Sequence, residues 1–144
     1  MPTLPTIREA AKIPEPNAKT ATLPEMFKEA LKSVVDGTDG GIAGLLMDFE
    51  GIPVETYARE AGSDIESVGA EVSVLVKAIQ RASEMLQAGQ TREVAFRSDK
   101  LVTLIRIIND GYFVAMTMTP DGNQGKGRYL MRIFAPQIAD ELAS

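Results

Sequence analysis

The chain is predicted to fold as an α+β domain, a five-stranded antiparallel sheet with helices on its faces, in the order α-β-β-α-β-β-β-α. Three observations predict it. Apolar residues recur at three- and four-residue spacing in three segments, the mark of amphipathic helices. Five short runs of strand-forming character lie between and after the first two of these segments. Strands that follow one another without an intervening helix are joined by short turns, which only an antiparallel pair can use. A chain of 144 residues, 44% of them apolar, has the size and composition of one ordinary globular domain.

The first 23 residues stand apart from that pattern. Pro2, Pro5, Pro14 and Pro16 fall within them and Pro24 borders them. Proline at this density disfavours both helix and sheet, and little apolar surface offsets the entropy of ordering. Residues 1–23 are expected to form a mobile arm, either inert or a docking segment, and residues 24–144 the domain.

The first helix follows in "TLPEMFKEALKSVVDG". Thr22 suits its cap, Pro24 its first turn, and Glu25 stands three residues beyond the cap. Met26 or Phe27, with Ala30, Leu31 and Val34, forms its apolar stripe, and Gly37 ends it. In "GLLMDFEGIPVETY" two short strands flank a turn from Asp48 to Gly51. Gly51 is expected to supply a positive φ and Asp48 to bond back to the turn amides.

Residues 64–87 form the longest predicted helix, capped by Ser63 or Asp64. Ile65, Val68, Val72, Leu75, Val76, Ile79 and Leu86 make one apolar side. Val74, Ala78 and Met85 make a second, narrower strip, roughly opposite the first. A helix lying on its own sheet needs one stripe, so the second predicts a further helix packed there, from a second copy of the chain.

"TREVAFR" alternates Arg92, Val94 and Phe96 against Glu93, Ala95 and Arg97, while "KLVTLIRIIND" and "GYFVAMTMT" are apolar on both faces, as central strands are. A last helix begins near Lys126, with Leu130, Phe134, Ile138 and Leu142 four apart and Pro136 expected to kink or interrupt it.

Composition removes much chemistry. There is no His and no Cys, so Ser–His and Cys–His pairs, disulfides and thiolate metal sites cannot be built. Fifteen Lys and Arg against 20 Asp and Glu leave a formal charge of −5, which argues against a nucleic-acid surface. No apolar run reaches the roughly 18 residues of a membrane span, and no secretory leader is visible, so no membrane insertion and a cytoplasmic location are expected.

Three motifs invite a functional reading. "PDGNQGKGR" is glycine-rich ahead of a helix, but Pro120 occupies the first glycine position of a phosphate loop and Gly127 the place of its hydroxyl residue. Asp48 and Glu50 lie in a tight turn, where both are expected to be solvated rather than poised for acid–base work, and their spacing fits no calcium loop. Arg92, Arg97, Lys100 and Arg106 read as a solvated face rather than a catalytic arginine. No catalytic, metal-binding or cofactor-binding residue is predicted.

The order of these elements, with "FKEALKSVVDG", the "GLLMDFEGIPVETY" hairpin, the helix at 64–87, "LVTLIRI…GYFVAMTM" and "GRYLMRIFAPQIADEL", resembles the roadblock family of dynein light chains, including its bacterial MglB-like regulators of a Ras-like small GTPase. The resemblance covers about Leu23 to Leu142. It implies a profilin-like fold with the long helix on one face of the sheet and the terminal helices on the other. It further implies a non-enzymatic adaptor without cofactor, whose partners are a second copy of itself and a Ras-like small GTPase or a paralogous roadblock protein, in polarity or motility control. Family members pair through the long helix and the strand after it, so Val74, Ala78, Met85, Arg92, Val94 and Phe96 become the expected dimer interface. A small-ligand sensor, holding a metabolite between sheet and helix, is the alternative.

Overall fold

A computed structural model describes residues 22–143, so the arm expected over 1–23 lies outside them but for its last two residues. Helix α1 spans Leu23–Asp36; the Thr22 hydroxyl accepts the Glu25 N–H at 3.3 Å and closes its first turn. Strands β1 (Gly41–Asp48) and β2 (Pro53–Ala58) form the predicted hairpin. Asp48 Oδ1 accepts the N–H groups of Glu50 and Ile52, each at 2.9 Å, and Gly51 has φ +89°. Both turn expectations therefore hold: one carboxylate satisfies two turn amides, and a residue without a Cβ takes the left-handed position.

Helix α2 runs Ile65–Met85, with the Asp64 carboxylate accepting the Ser67 N–H at its start. Strands β3 (Glu93–Arg97), β4 (Val102–Ile107) and β5 (Tyr112–Met118) then form a meander, and α3 (Gln124–Ala143) closes the fold. The sheet order is β2-β1-β5-β4-β3, antiparallel throughout. Arg92, expected within the third strand, falls just before it.

Because side chains alternate across a strand, the sheet carries two cores. Leu46, Leu104, Val114, Met116 and Met118 point to α1 and α3, where Phe27, Leu31, Phe134 and Ile138 meet them. Leu45, Met47, Ile105, Phe113 and Ala115 point the other way, to Ile65, Val72 and Val76 of α2. The long helix thus lies on one face and the terminal helices on the other, as the resemblance implied.

Two details of the helices depart from expectation. Helix α3 is not interrupted at Pro136. Pro136 and Arg132 both lie on its exposed side, so the missing N–H does not leave the Arg132 carbonyl in the packed core. In α2, Leu75 and Leu86, expected on the core side, are exposed. The buried stripe is Ile65, Gly69, Val72, Ser73 and Val76. Small residues sit in its middle: a Cβ at Gly69 would run into Leu45 and Met47, so the helix rests close on β1 along Gly69 and is turned toward it.

Candidate interaction surface

With α2 turned in this way, Val74, Ala78 and Met85 lie opposite the buried stripe, as expected, and Leu75, Ala82 and Leu86 widen that strip into one broad apolar face. Val74 is 64% exposed, Leu75 40%, Met85 85% and Leu86 77%, with Ala78 and Ala82 exposed between them. On a helix of 3.6 residues per turn these six share one side, while Lys77, Arg81 and Glu84 take another. Large side chains this exposed on a single helix face make it a candidate association surface.

Helix α2 packs on β1 and β2, toward one side of the sheet. On the same sheet face, toward the opposite edge, Val94 is half-buried and Phe96 is 38% exposed. Both lie in β3, the last strand of the sheet. The Ile107 N–H donates to the Arg92 carbonyl at 3.0 Å and the Ser98 N–H to the Leu101 carbonyl at 2.7 Å. With the continuous β3–β4 register between them, these bonds set the alternation. Arg92, Val94, Phe96 and Ser98 turn their backbone groups to β4; Glu93, Ala95 and Arg97 turn theirs outward. The outward row has no strand beside it among the described residues.

Of the predicted interface residues, Val74, Ala78 and Met85 lie together on the outer face of α2, and Val94 and Phe96 share the sheet face on which α2 lies. Arg92 contributes its carbonyl to the β4 ladder from outside the strand. Leu75, Ala82 and Leu86 were missed. The signal that could have found them is the Gly69–Ser73 pair, whose small side chains mark where a helix lies closest to its sheet.

The chemical motifs resolve into local structure. Asp48 is spent on its turn. Asn123 Oδ1 accepts the Lys126 N–H at 3.0 Å, capping α3, and a Cβ at Gly127 would stand 2.8 Å from Met116 Cε, so this glycine lets α3 sit on the sheet. Arg106 pairs with Glu93 at 3.6 Å, and Arg97 donates to the Pro120 carbonyl at 3.1 Å. Among the described residues, no three Asp, Glu, His or Cys groups come together as a metal site, and no helix is long and apolar enough to cross a membrane.

Among the described residues, one titratable group is displaced. Tyr57 is pushed above its ordinary pKa by desolvation and by its hydrogen bonds to the Asp36 carboxylate, both 2.9 Å, and it stays a donor at neutral pH. Open clefts lined by described residues flank the sheet. One, of about 420 Å³, lies between the end of α2 and the β4–β5 turn, lined by Gln80, Glu84, Thr91, Ile107 and Asn109. Another, of about 590 Å³, lies by Ile42, Arg59, Glu60 and Thr119. Between sheet and α2, where a metabolite would sit, Leu45, Met47, Val72, Val76 and Phe113 fill the space and are all buried.

Among solved structures, MglC from Myxococcus xanthus is 35% identical in sequence, with 80% of this chain and 98% of that one covered and a TM-score of 0.59. A Roadblock/LC7 domain from Streptomyces avermitilis matches at 14% identity over 81% and 98% of the two chains, with a TM-score of 0.74. The gliding protein MglB from Thermus thermophilus matches at 14% identity over 84% and 91%, with a TM-score of 0.76. The chain belongs to the roadblock family. The identity to MglC carries that membership, and the two fainter likenesses carry the roadblock fold. A comparison with family models finds no match, and neither does one with curated proteins.

Proposed function

We propose that this roadblock protein is a non-enzymatic, homodimeric adaptor that binds a Ras-like small GTPase or another roadblock protein in bacterial polarity or motility control. The observation that carries the reading is the apolar outer face of α2 on a sheet whose β3 edge has no strand beside it among the described residues, in a chain 35% identical to MglC. Two copies related by a twofold axis would bring the β3 edges together as one longer sheet and cover the α2 faces with one another. Fully burying a Val, Leu or Met side chain is worth about 1.5–3 kcal/mol, so the exposed side chains of two copies supply a substantial drive to associate.

The mechanism is recognition by shape. A paired platform of sheet and helices holds one conformation of the partner's switch region and shifts its population by the difference in affinity between the two states. Motility control enters through the likeness to a protein described as a gliding protein. The bacterial and cytoplasmic assignments belong to the same reading.

Sedimentation of the pure chain and titration with Ras-like GTPases in each nucleotide state test it together. The expected results are a dimer mass and a nucleotide-dependent affinity, with altered hydrolysis if the protein regulates rather than scaffolds. A monomer that binds none of these GTPases and no roadblock protein would remove the proposal.

A further inference from the structure

The sequence of β3 is Glu93-Val94-Ala95-Phe96-Arg97, and we infer that it is a self-complementary pairing code: it sets the register of a β3–β3 contact on Ala95 and selects a second copy of this chain over a different roadblock chain. The inference rests on the self-association proposed above and adds to it the register, the residues that fix it and the identity of the partner.

Geometry narrows the choices first. A strand added to this edge must bond to the outward groups of Glu93, Ala95 and Arg97. A twofold axis through an antiparallel pair makes both strands use the same outward set. Only registers centred on one of the five β3 residues satisfy both conditions.

The side chains then separate the five. Centred on Glu93 or on Arg97, the pairing sets a charge directly against its own copy, which is destabilising. Centred on Phe96, it places Glu93 opposite Asp99 of the second copy, again like against like. Centred on Val94, it sets Glu93 against Ala95 and Arg92 against Phe96, leaving the charges without partners. Centred on Ala95, every pair is favourable. Glu93 faces Arg97 of the second copy twice over, Val94 faces Phe96 twice over, and the smallest side chain meets itself on the axis. This register also aligns all three outward residues on each strand, more than any other.

The two faces of the sheet agree with it. Val94 and Phe96 lie on the α2 side, where an aromatic against a β-branched residue continues the apolar surface. Glu93 and Arg97 lie on the other side. Glu93 already holds Arg106 of β4 at 3.6 Å and keeps about half its side chain exposed, so Arg97 of the second copy completes a row Arg106–Glu93–Arg97 across the joint. A different roadblock chain fits this edge only if its own strand carries the mirrored order of charges.

Charge reversal tests the code in the full chain. Glu93→Arg gives a strand with Arg at both ends, and Arg97→Glu one with Glu at both ends. Each variant alone is expected to dissociate at least about tenfold more readily than wild type, because both cross-strand ion pairs become repulsions. Mixed together they are expected to recover near-wild-type affinity as a heterodimer, since each end then meets its opposite; native mass spectrometry resolves that species. The double swap, Glu93→Arg with Arg97→Glu, is expected to restore the homodimer. Glu93→Gln, which removes the bond to Arg106 without reversing charge, separates loss of folding from loss of pairing, and far-ultraviolet circular dichroism checks the fold of each variant. A wild-type dimer whose affinity neither reversal changes, or a mixture that fails to pair, would overturn the register. A wild-type chain that stays monomeric to its solubility limit would overturn self-association itself.

Discussion

At one edge of the sheet, β2 opens on Pro53, slips register at a bulge between Leu46 and Met47 of its neighbour, and is fastened to α1. Tyr57 and Arg59 reach Asp36, and Lys28 reaches Glu55. At the other edge, β3 pairs with β4 residue for residue, holds no proline and no bulge, and shares its sheet face with α2, which packs toward β1 and β2. Proline, bulges and a covering helix are the devices by which a protein keeps a strand edge from pairing with other chains. Their presence at β2 and their absence, among the described residues, at β3 leave one edge closed and the other open, which is why the proposed joint between copies is placed at β3.

The comparison can be broken at the backbone. Val94→Pro removes an N–H that bonds to β4 and is expected to cost about 1–3 kcal/mol in urea unfolding. Ala95→Pro removes an N–H that faces outward, so it should leave most of that stability in place while abolishing the dimer mass in sedimentation. If both substitutions lower stability equally, the assignment of inward and outward groups is wrong.

Next in size is the helix face. Val74→Glu with Met85→Glu is expected to convert dimer to monomer by light scattering, with a melting temperature within a few degrees of wild type measured at a concentration where both are monomeric, because substitutions at exposed positions change stability little. An unchanged mass would separate the α2 face from the joint.

The closed edge gives the smallest effects. Tyr57→Phe removes the hydroxyl from Asp36 and is expected to cost about 0.5–1.5 kcal/mol with no change in mass. Its pH dependence follows from the raised pKa. The protonated phenol is the form favoured by the fold, so its contribution is complete below the unfolded tyrosine value near 10 and fades as pH rises through the higher folded value. Urea midpoints from neutral to alkaline pH should therefore fall less steeply for Tyr57→Phe than for wild type.

Much of the fold was legible because its signals are local. A cap at Thr22, a turn acid at Asp48 and a positive-φ glycine at Gly51 act within four residues, and strand alternation follows from the chain itself. The rotation of α2 was not local. Leu75 and Leu86 satisfy helical periodicity as well as Val72 does, and only the depth of Gly69 against Leu45 and Met47 decides which stripe goes inward. The α2 part of the candidate surface was readable as an apolar excess at Val74, Ala78 and Met85. Its full breadth depended on that rotation, and its place on the same sheet face as an open edge depended on strand order.

Gly69 also has a consequence at a distance. It acts as a depth stop on a roller: any side chain there would lift α2 from β1 or roll it, carrying Val74, Leu75, Met85 and Leu86 with it. The orientation of the outer surface is therefore adjustable from inside the molecule, at a buried position.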